Sequence, residues 1–143
     1  MAKRKKTTVA QEVDKAAKLL QRLVRLKASD DNGYCTCVTC GKVDHYKAMQ
    51  GGHFIPRGRT VFKLFEENIH PQCPSCNLWG MKQAHYVLRY RQYMADTYGE
   101  NRVKAMERLA WRASPKFNRD EVIQFARNLK EKIKNEESRI GEY

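Results

Sequence analysis

The sequence contains no long apolar run, and this absence excludes several classes of protein. No stretch of about eighteen apolar residues occurs, so no segment is able to cross a membrane as a helix. The basic N-terminus, Met1 to Lys6, is not followed by an apolar segment, which excludes a secretory signal peptide. No internal repeat is visible, which excludes a repeat array. We therefore expect a cytoplasmic protein that does not act at a membrane.

Acidic residues are scarce relative to basic ones. The chain has 16 Asp and Glu against 28 Lys and Arg, which gives a net charge of +12. This excess favours a polyanionic partner, DNA or RNA, although a basic surface that serves only solubility is the alternative. The 143 residues are expected to form one domain with a modest core. A structural metal would therefore add useful stability.

The cysteines indicate metal binding rather than disulfides. There are five of them, an odd number, and four form the two Cys-x-x-Cys pairs Cys37/Cys40 and Cys73/Cys76, which are separated by 32 residues. Four thiolates at this spacing are typical of a closed tetrahedral zinc site, in which the metal is structural. A redox pair is the rival interpretation, but such a pair is single and lies where a helix starts after a strand.

The residues after each pair support the zinc prediction. Gly41 follows the first pair and suits the left-handed conformation that a zinc knuckle commonly needs. Asn77 follows the second pair, and asparagine is the next best residue for that conformation. Cys35 is left out of the ligand set because its spacing to Cys40 does not fit a knuckle.

The periodicity of the apolar residues predicts a mostly helical α+β fold. A capping box at Thr8 and Gln11 begins an amphipathic helix from about Val9 to Ala28, whose apolar stripe serves core or dimer packing. Later helices are expected from Asn77 or Leu78 to Tyr98, over Asn101–Arg112 and over Arg119–Asn135, with short strands at Tyr34–Val38 and Asn68–His70. The predicted segments are a disordered basic tip (1–8), an N-terminal helix and turn (9–33), a zinc-stabilised core (34–100) and a C-terminal helical region (101–143).

The loop between the cysteine pairs carries candidates for phosphodiester hydrolysis. Histidine as a residue type titrates near neutral pH, which makes His53 a candidate general base, and the preceding Gly51 and Gly52 allow a phosphate to approach the backbone. Asn68 lies fifteen residues later and is placed to orient the histidine. Asn77, next to a zinc thiolate, offers an amide oxygen to a divalent ion that stabilises the leaving group.

These motifs together resemble a known family. The run Cys37–Cys40, Gly52-His53-Phe54-Ile55 and Asn68-x-His70-Pro71-Gln72-Cys73-x-x-Cys76-Asn77 is similar to an HNH (His-Me finger) endonuclease motif, and more narrowly to the lambda-type phage NinG/Rap recombination endonucleases. The resemblance covers roughly residues 34–100. It implies a zinc-bound ββα-metal core and Mg²⁺- or Mn²⁺-dependent nicking of branched DNA, such as D-loops and Holliday junctions, in the host cytoplasm. By the same resemblance His53 is the base, Asn68 orients it and Asn77 is a metal ligand.

One position departs from the HNH pattern. Many HNH sites have Asp or His immediately before the base as a metal ligand, and here that residue is Gly52. His70 and His85 are candidates to replace it, the alternative for each being an ordinary core or surface histidine. Arg57, Arg59 and Lys63 lie near the base and are expected to bind DNA phosphates, or else to form a solvated face.

Two other functions account for part of the same sequence. A non-catalytic zinc module that binds DNA or RNA explains the charge and the cysteines, and a ribosome-associated zinc protein does so as well. Neither explains why a histidine follows paired glycines at this distance from Asn68. We therefore expect an endonuclease that acts on branched DNA, with a possible homodimer to make paired nicks.

Overall fold

A computed structural model of the chain describes residues 3–56, 60–112 and 116–141. Within these ranges the α-helices are α1 (Val9–Lys27), α2 (Thr60–Lys63), α3 (Pro74–Leu78), α4 (Ala84–Tyr98), α5 (Glu100–Leu109) and α6 (Arg119–Arg139). The strands are β1 (Tyr34–Thr36), β2 (Val43–His45), β3 (Gln50–His53) and β4 (Ile69–Gln72). They form two antiparallel two-stranded sheets, β1–β2 and β3–β4. The prediction of a mostly helical α+β fold is confirmed.

Helix α1 begins where the capping box predicts. The Thr8 side chain accepts from the Gln11 amide, and the Gln11 side chain accepts from the Thr8 amide, so two otherwise unpaired donors of the first turn are satisfied. The apolar stripe of α1 is buried within the chain, where Leu20, Leu23 and Val24 pack with Leu129 and Ile133 of α6. This contact accounts for the stripe as core packing.

The first and last helices run parallel to each other. At one end Arg119 Nε donates to the Thr7 carbonyl oxygen at 2.8 Å, and at the other Arg139 Nη2 donates to the Leu26 carbonyl oxygen at 2.9 Å. Between these ends Arg22 forms an ion pair with Glu137 at 2.8 Å. The N-terminal ends of α1 and α6 therefore lie side by side, and so do their C-terminal ends.

The β3–β4 sheet packs closely against α1. Ile69 of β4 is buried in the same core cluster as Leu20 and Leu23. A Cβ added to Gly51 of β3 would lie 2.7 Å from the Gln21 Cβ of α1. The paired glycines were expected to admit a phosphate, and Gly51 instead permits the close approach of a helix.

The long helix expected to end at Tyr98 is divided in two. Helix α3 ends at Leu78, a 3-10 turn follows over Gly80–Lys82, and α4 begins at Ala84 after Gln83 in an extended conformation. The turn brings Gly80 against the ring of Tyr86, where an added Cβ would lie 2.9 Å from Cδ1. The C-terminal helices differ from the predicted ranges only at their ends, since α5 stops at Leu109 and α6 continues to Arg139. The expected break at Ser114-Pro115 lies outside the described residues.

None of the helices in the described ranges has the length and apolar character needed to cross a membrane.

Candidate metal centre and adjoining histidine site

The four paired cysteines come together in one cluster. Their Sγ atoms all lie within 4.8 Å of one another, and Cys40 Sγ is 3.7 Å from Cys73 Sγ. A zinc ion with four Zn–S bonds of about 2.3 Å requires sulfur–sulfur separations of about 3.8 Å in a tetrahedron. The cluster, formed by Cys37, Cys40, Cys73 and Cys76, can therefore hold a zinc ion. Cys35 lies outside it, buried on β1 opposite Asp44.

The two cysteine pairs reach the cluster through different backbone structures. The first lies on a turn, in which Gly41 has a φ of +81° and its amide donates to the Cys37 carbonyl oxygen at 3.0 Å. The second lies at the start of α3, with Pro74 in its first turn and the Asn77 amide donating to the Cys73 carbonyl oxygen at 3.0 Å. The left-handed conformation expected for Asn77 was wrong, because Pro74 has the φ of a first helical residue and the chain continues as a helix.

The thiols of the cluster are electrostatically unlike one another. Burial opposes ionisation of Cys37, but backbone amides of Cys40, Cys73 and Thr39 donate to its sulfur and lower its pKa to about 7. Burial and the neighbouring thiols raise the pKa of Cys76. One thiolate is therefore stabilised by the protein itself, whereas ionising all four requires a cation to offset their mutual repulsion.

His53 ends β3 and lines a cavity of about 330 Å³. The residue is 8% exposed, and its Nε2 lies 3.4 Å from the Lys63 carbonyl oxygen. Asn77 lines the same cavity from α3. Its Nδ2 donates to Gln50 Oε1 at 2.7 Å, a bond that does not involve Oδ1, the atom suited to binding a cation. The structure thus brings two of the sequence-predicted residues, His53 and Asn77, to one cavity.

Asn68 is fully buried and organises the segment that follows His53. Its Nδ2 donates to the carbonyl oxygens of Ile55 and Phe62 at 3.0 and 3.2 Å, and its Oδ1 accepts from the Ile55 amide at 2.8 Å. We expected the amide to contact the ring of His53. Its hydrogen bonds instead hold the loop backbone, so its influence on the ring is indirect.

Comparison of the chain with models of protein families identifies its family. The model of the family described as "Bacteriophage Lambda NinG protein" matches residues 1–139, from the start of the chain to the end of α6.

The chain belongs to the NinG family.

No curated protein and no solved structure matches it. The NinG match includes both the cysteine cluster and the His53 cavity.

Gly52 of this NinG-family chain has no room for the Asp or His that many HNH sites have at this position. A Cβ added to Gly52 would lie 1.7 Å from Gln72 Oε1. Gln72 is fully buried, its Nε2 donates to Thr39 Oγ1 at 2.8 Å, and its Oε1 has no hydrogen-bond partner among the described residues. The packing of Gln72 therefore explains the glycine in physical terms.

His70 lies in a cluster of tyrosines. In the β3–β4 sheet His70 lies opposite Gly52, whereas His53 lies opposite Ile69. The two histidines therefore project from opposite faces of the sheet. Tyr90 Oη donates to the Gly52 carbonyl oxygen at 2.7 Å and lies 3.1 Å from His70 Nδ1, while Tyr98 Oη lies 2.8 Å from Nε2. Both ring nitrogens thus have protein partners. The metal-binding role considered for His70 would require one of these nitrogens to leave its tyrosine partner.

Burial and the Tyr90 hydrogen bonds define the protonation state of His70. Desolvation lowers its pKa to about 4, so the ring is neutral near pH 7. Because Tyr90 donates its proton to Gly52, His70 Nδ1–H donates to Tyr90 Oη, and Nε2 accepts from Tyr98.

The other predicted site residues lie elsewhere. His85 is exposed on α4, with its ring centroid 4.3 Å from that of Tyr86, and it is not among the described residues that line the His53 cavity. Lys63 pairs through Nζ with Asp14 of α1, so its ammonium already has an acidic partner. Arg57 and Arg59 lie outside the described residues.

Sequence reasoning missed the polar residues that support the site. Gln50 holds Asn77, Gln72 fills the space at Gly52, and Tyr90 binds the backbone before His53. The only available signal was the spacing of Tyr90 and Tyr98, eight residues apart and therefore on one face of a helix. The glutamines gave no signal, because an isolated glutamine has no characteristic spacing.

Proposed function

We propose that this protein is a metal-dependent DNA endonuclease of the HNH type that nicks branched recombination intermediates such as D-loops and Holliday junctions. The observation that carries the proposal is the meeting of His53 and Asn77 in one cavity next to the cysteine cluster. The order of elements supports it. Two antiparallel strands, β3 and β4, are followed directly by α3, as in a ββα-metal unit.

His53 acts as the general base in this mechanism. Its Nε2 faces the Lys63 carbonyl oxygen, which accepts a hydrogen bond but cannot donate one. The proton therefore resides on Nε2, and Nδ1 is the nitrogen that accepts a proton from the attacking water. A backbone carbonyl thus performs the orienting role that we expected of the Asn68 amide, and Asn68 holds the loop that leads to this carbonyl through Phe62.

A catalytic Mg²⁺ or Mn²⁺ would be held mainly by the phosphates of the DNA substrate and by water. Of the described cavity residues, Asn77 offers an oxygen ligand through Oδ1, and none is a carboxylate. Mg²⁺ commonly keeps several waters and binds through one or two protein oxygens together with substrate phosphates, so this donor set fits. When bound, the ion stabilises the leaving oxygen of the scissile phosphate. The zinc site has no open position and serves the fold alone.

The excess of basic residues supports DNA as the partner. A net charge of +12 favours binding to phosphate backbones and makes that binding sensitive to salt. The proposed place of action is the cytoplasm of the phage-infected host. Paired nicks across a four-way junction would require two protomers, each contributing one His53 cavity.

The test compares the wild type with His53→Ala on linear, nicked, D-loop and four-way DNA, with Mg²⁺, with Mn²⁺ and without either ion. We expect the wild type to cleave only the branched forms in the presence of metal. His53→Ala should bind DNA normally but not cleave it. His85→Ala is the matched control, because His85 is an exposed histidine that does not line the cavity. Full cleavage by His53→Ala would refute the proposal.

A non-catalytic zinc module that binds DNA or RNA is the second candidate. It is favoured by the cysteine cluster and by the lack of a carboxylate among the described residues of the His53 cavity. Salt-sensitive binding without cleavage of any substrate in either metal would decide for this module.

A further inference from the structure

A second cavity adjoins the one that contains His53. It also has a volume of about 330 Å³, and its described lining includes Phe54, Pro56, Val87, Ala110 and Trp111. The first three of these residues line the His53 cavity as well. The second cavity, called here the Trp111 groove, is therefore a continuation of the candidate catalytic cavity.

The Trp111 groove places a large aromatic surface in water. Trp111 is 82% exposed, the highest exposure among the large hydrophobic residues that the structure describes. Isolated exposed apolar residues are normal, but a tryptophan at the wall of a groove next to a candidate catalytic cavity is typical of a binding surface.

The walls of the Trp111 groove are held in place by the core. Phe54 packs on the buried Tyr90 with ring centroids 5.4 Å apart. On the opposite wall, helix α5 is anchored by the buried residues Val103 and Met106. Glu107 also lines the groove, and its carboxylate is bound by Arg91 at 2.8 Å. The groove therefore exists before any ligand binds.

The basic residues that lie near Trp111 in the sequence favour an anionic ligand. Arg108 and Arg112 are exposed and lie on either side of Trp111 in the sequence, and Lys104 is exposed one turn before Arg108. The acidic Glu107 has Arg91 as its partner. A ligand that suits both features is flat and apolar on its faces and carries negative charge at its edge. A nucleotide base with its phosphate has this chemistry.

We infer that the Trp111 groove binds one unstacked base of a DNA strand, with the indole of Trp111 as the stacking surface. The inference rests on the proposed function and extends it, because the neighbouring phosphate would then lie in the His53 cavity. Bases in an intact duplex are stacked on each other and unavailable, whereas a D-loop has an unpaired strand and an open four-way junction leaves the bases at its branch point without one stacking neighbour. Trp111 would thus select branched or single-stranded DNA over duplex DNA without reading sequence.

Tryptophan fluorescence tests the inference directly. The chain has two tryptophans, so Trp79→Phe leaves Trp111 as the single reporter. Without added Mg²⁺ or Mn²⁺, where binding is separated from cleavage, four-way and single-stranded DNA should quench and shift Trp111 emission. Duplex DNA of the same length should do so far less. Equal quenching by duplex and branched DNA would overturn the inference.

Affinity measurements on Trp111 variants provide the second readout. Trp111→Ala should weaken binding to four-way DNA roughly ten-fold or more, since stacking on an aromatic ring contributes at this level for each base. Trp111→Phe should restore most of the affinity, and duplex binding should change little in either variant. Leu88→Ala is the matched control, because Leu88 is 65% exposed on α4 but is not among the described residues of either cavity. Circular dichroism checks that each variant is folded.

The outcomes separate the inference from the proposed function. Selective quenching without cleavage in any metal would support the base-binding groove and refute the endonuclease. Cleavage of branched DNA by the wild type, together with unchanged DNA affinity in Trp111→Ala, would support the endonuclease and refute the base-binding groove. If Trp111→Ala alters only the oligomeric state in gel filtration, the groove contacts a second copy of the chain and the inference is wrong.

Discussion

Tyr90 donates a 2.7 Å hydrogen bond to the carbonyl oxygen of Gly52, the residue immediately before His53. Tyr90 is fully buried on α4, so this bond ties the end of β3 to a helix of the second core cluster. The same hydroxyl contacts His70, and His70 contacts Tyr98. The backbone that carries His53 is therefore held from behind by a chain of three side chains.

Tyr90→Phe should lower the free energy of unfolding by about 1–3 kcal/mol. The change removes the side-chain hydrogen bond to the Gly52 carbonyl and leaves the buried His70 Nδ1–H without its partner, and a buried unpaired polar group costs this much. Urea denaturation measures the effect. Tyr93→Phe is the control, because Tyr93 contacts the His70 ring at 5.1 Å in the same cluster. Equal losses in both variants would contradict the importance of the hydroxyl.

His70 should make stability depend on pH. Burial lowers its pKa from 6.5 to about 4, so the folded state binds fewer protons than the unfolded state between these values. Its contribution is fully present above pH 6.5, decreases as the pH falls and is lost near pH 4. The total change is up to about 3 kcal/mol.

Chemical denaturation of the wild type and His70→Gln at several pH values measures this contribution. The difference between the two proteins isolates His70 from the cysteines, which also titrate. A difference that does not change between pH 6.5 and 4 would contradict a neutral, buried His70.

The protein should contain one zinc ion per chain, and its removal should unfold the central region. Cys73→Ser should bind little zinc and lose the cooperative unfolding transition, because structural zinc contributes about 10 kcal/mol or more in small zinc domains. Metal analysis and circular dichroism with and without a chelator are the measurements. Cys35→Ala should keep the full zinc content, since Cys35 lies outside the cluster. A purified protein that is folded without zinc would contradict the assignment.

Gly52→Ala should destabilise the protein by about 1–3 kcal/mol, the usual cost of overpacking a core. The added methyl group would meet Gln72 Oε1, the end of a side chain, so Gln72→Ala should recover part of the loss. Gly51→Ala is the contrasting case. Its methyl group would meet Gln21 Cα at 2.9 Å, and no side-chain truncation removes a backbone atom. Thermal denaturation of Gly52→Ala, Gln72→Ala and the double variant measures the coupling between these two positions. If Gln72→Ala recovers no stability in the Gly52→Ala protein, the expected contact is contradicted.

The sequence predicted those features that depend on local or regularly spaced signals. The Thr8 capping box, the apolar period of α1 and the cysteine spacing each involve few residues, and each reappears in the structure. The helical interpretation failed between Leu78 and Ala84, because the contact of Gly80 with Tyr86 has no periodic signature. Helix propensity alone does not reveal such a break.

Two residues of the candidate site were predictable from the sequence, but their connections were not. His53 and Asn77 share a cavity, as their spacing relative to the cysteines indicated. The partners of Asn68 and His70 were not predictable, because they depend on the register of β3 with β4 and on the packing of α4 behind the sheet. These contacts join residues far apart in the sequence, and no local pattern records them.

The parallel pairing of α1 with α6 has a consequence for how the chain folds during synthesis. The ribosome makes α1 first, but the helix that covers its apolar stripe is complete only at Arg139. Contacts this distant in sequence form late, because the loop between them must close first. The stripe of the nascent chain therefore stays uncovered by α6 while the four cysteines are translated, and all four are available for metal binding before the final closure of the domain.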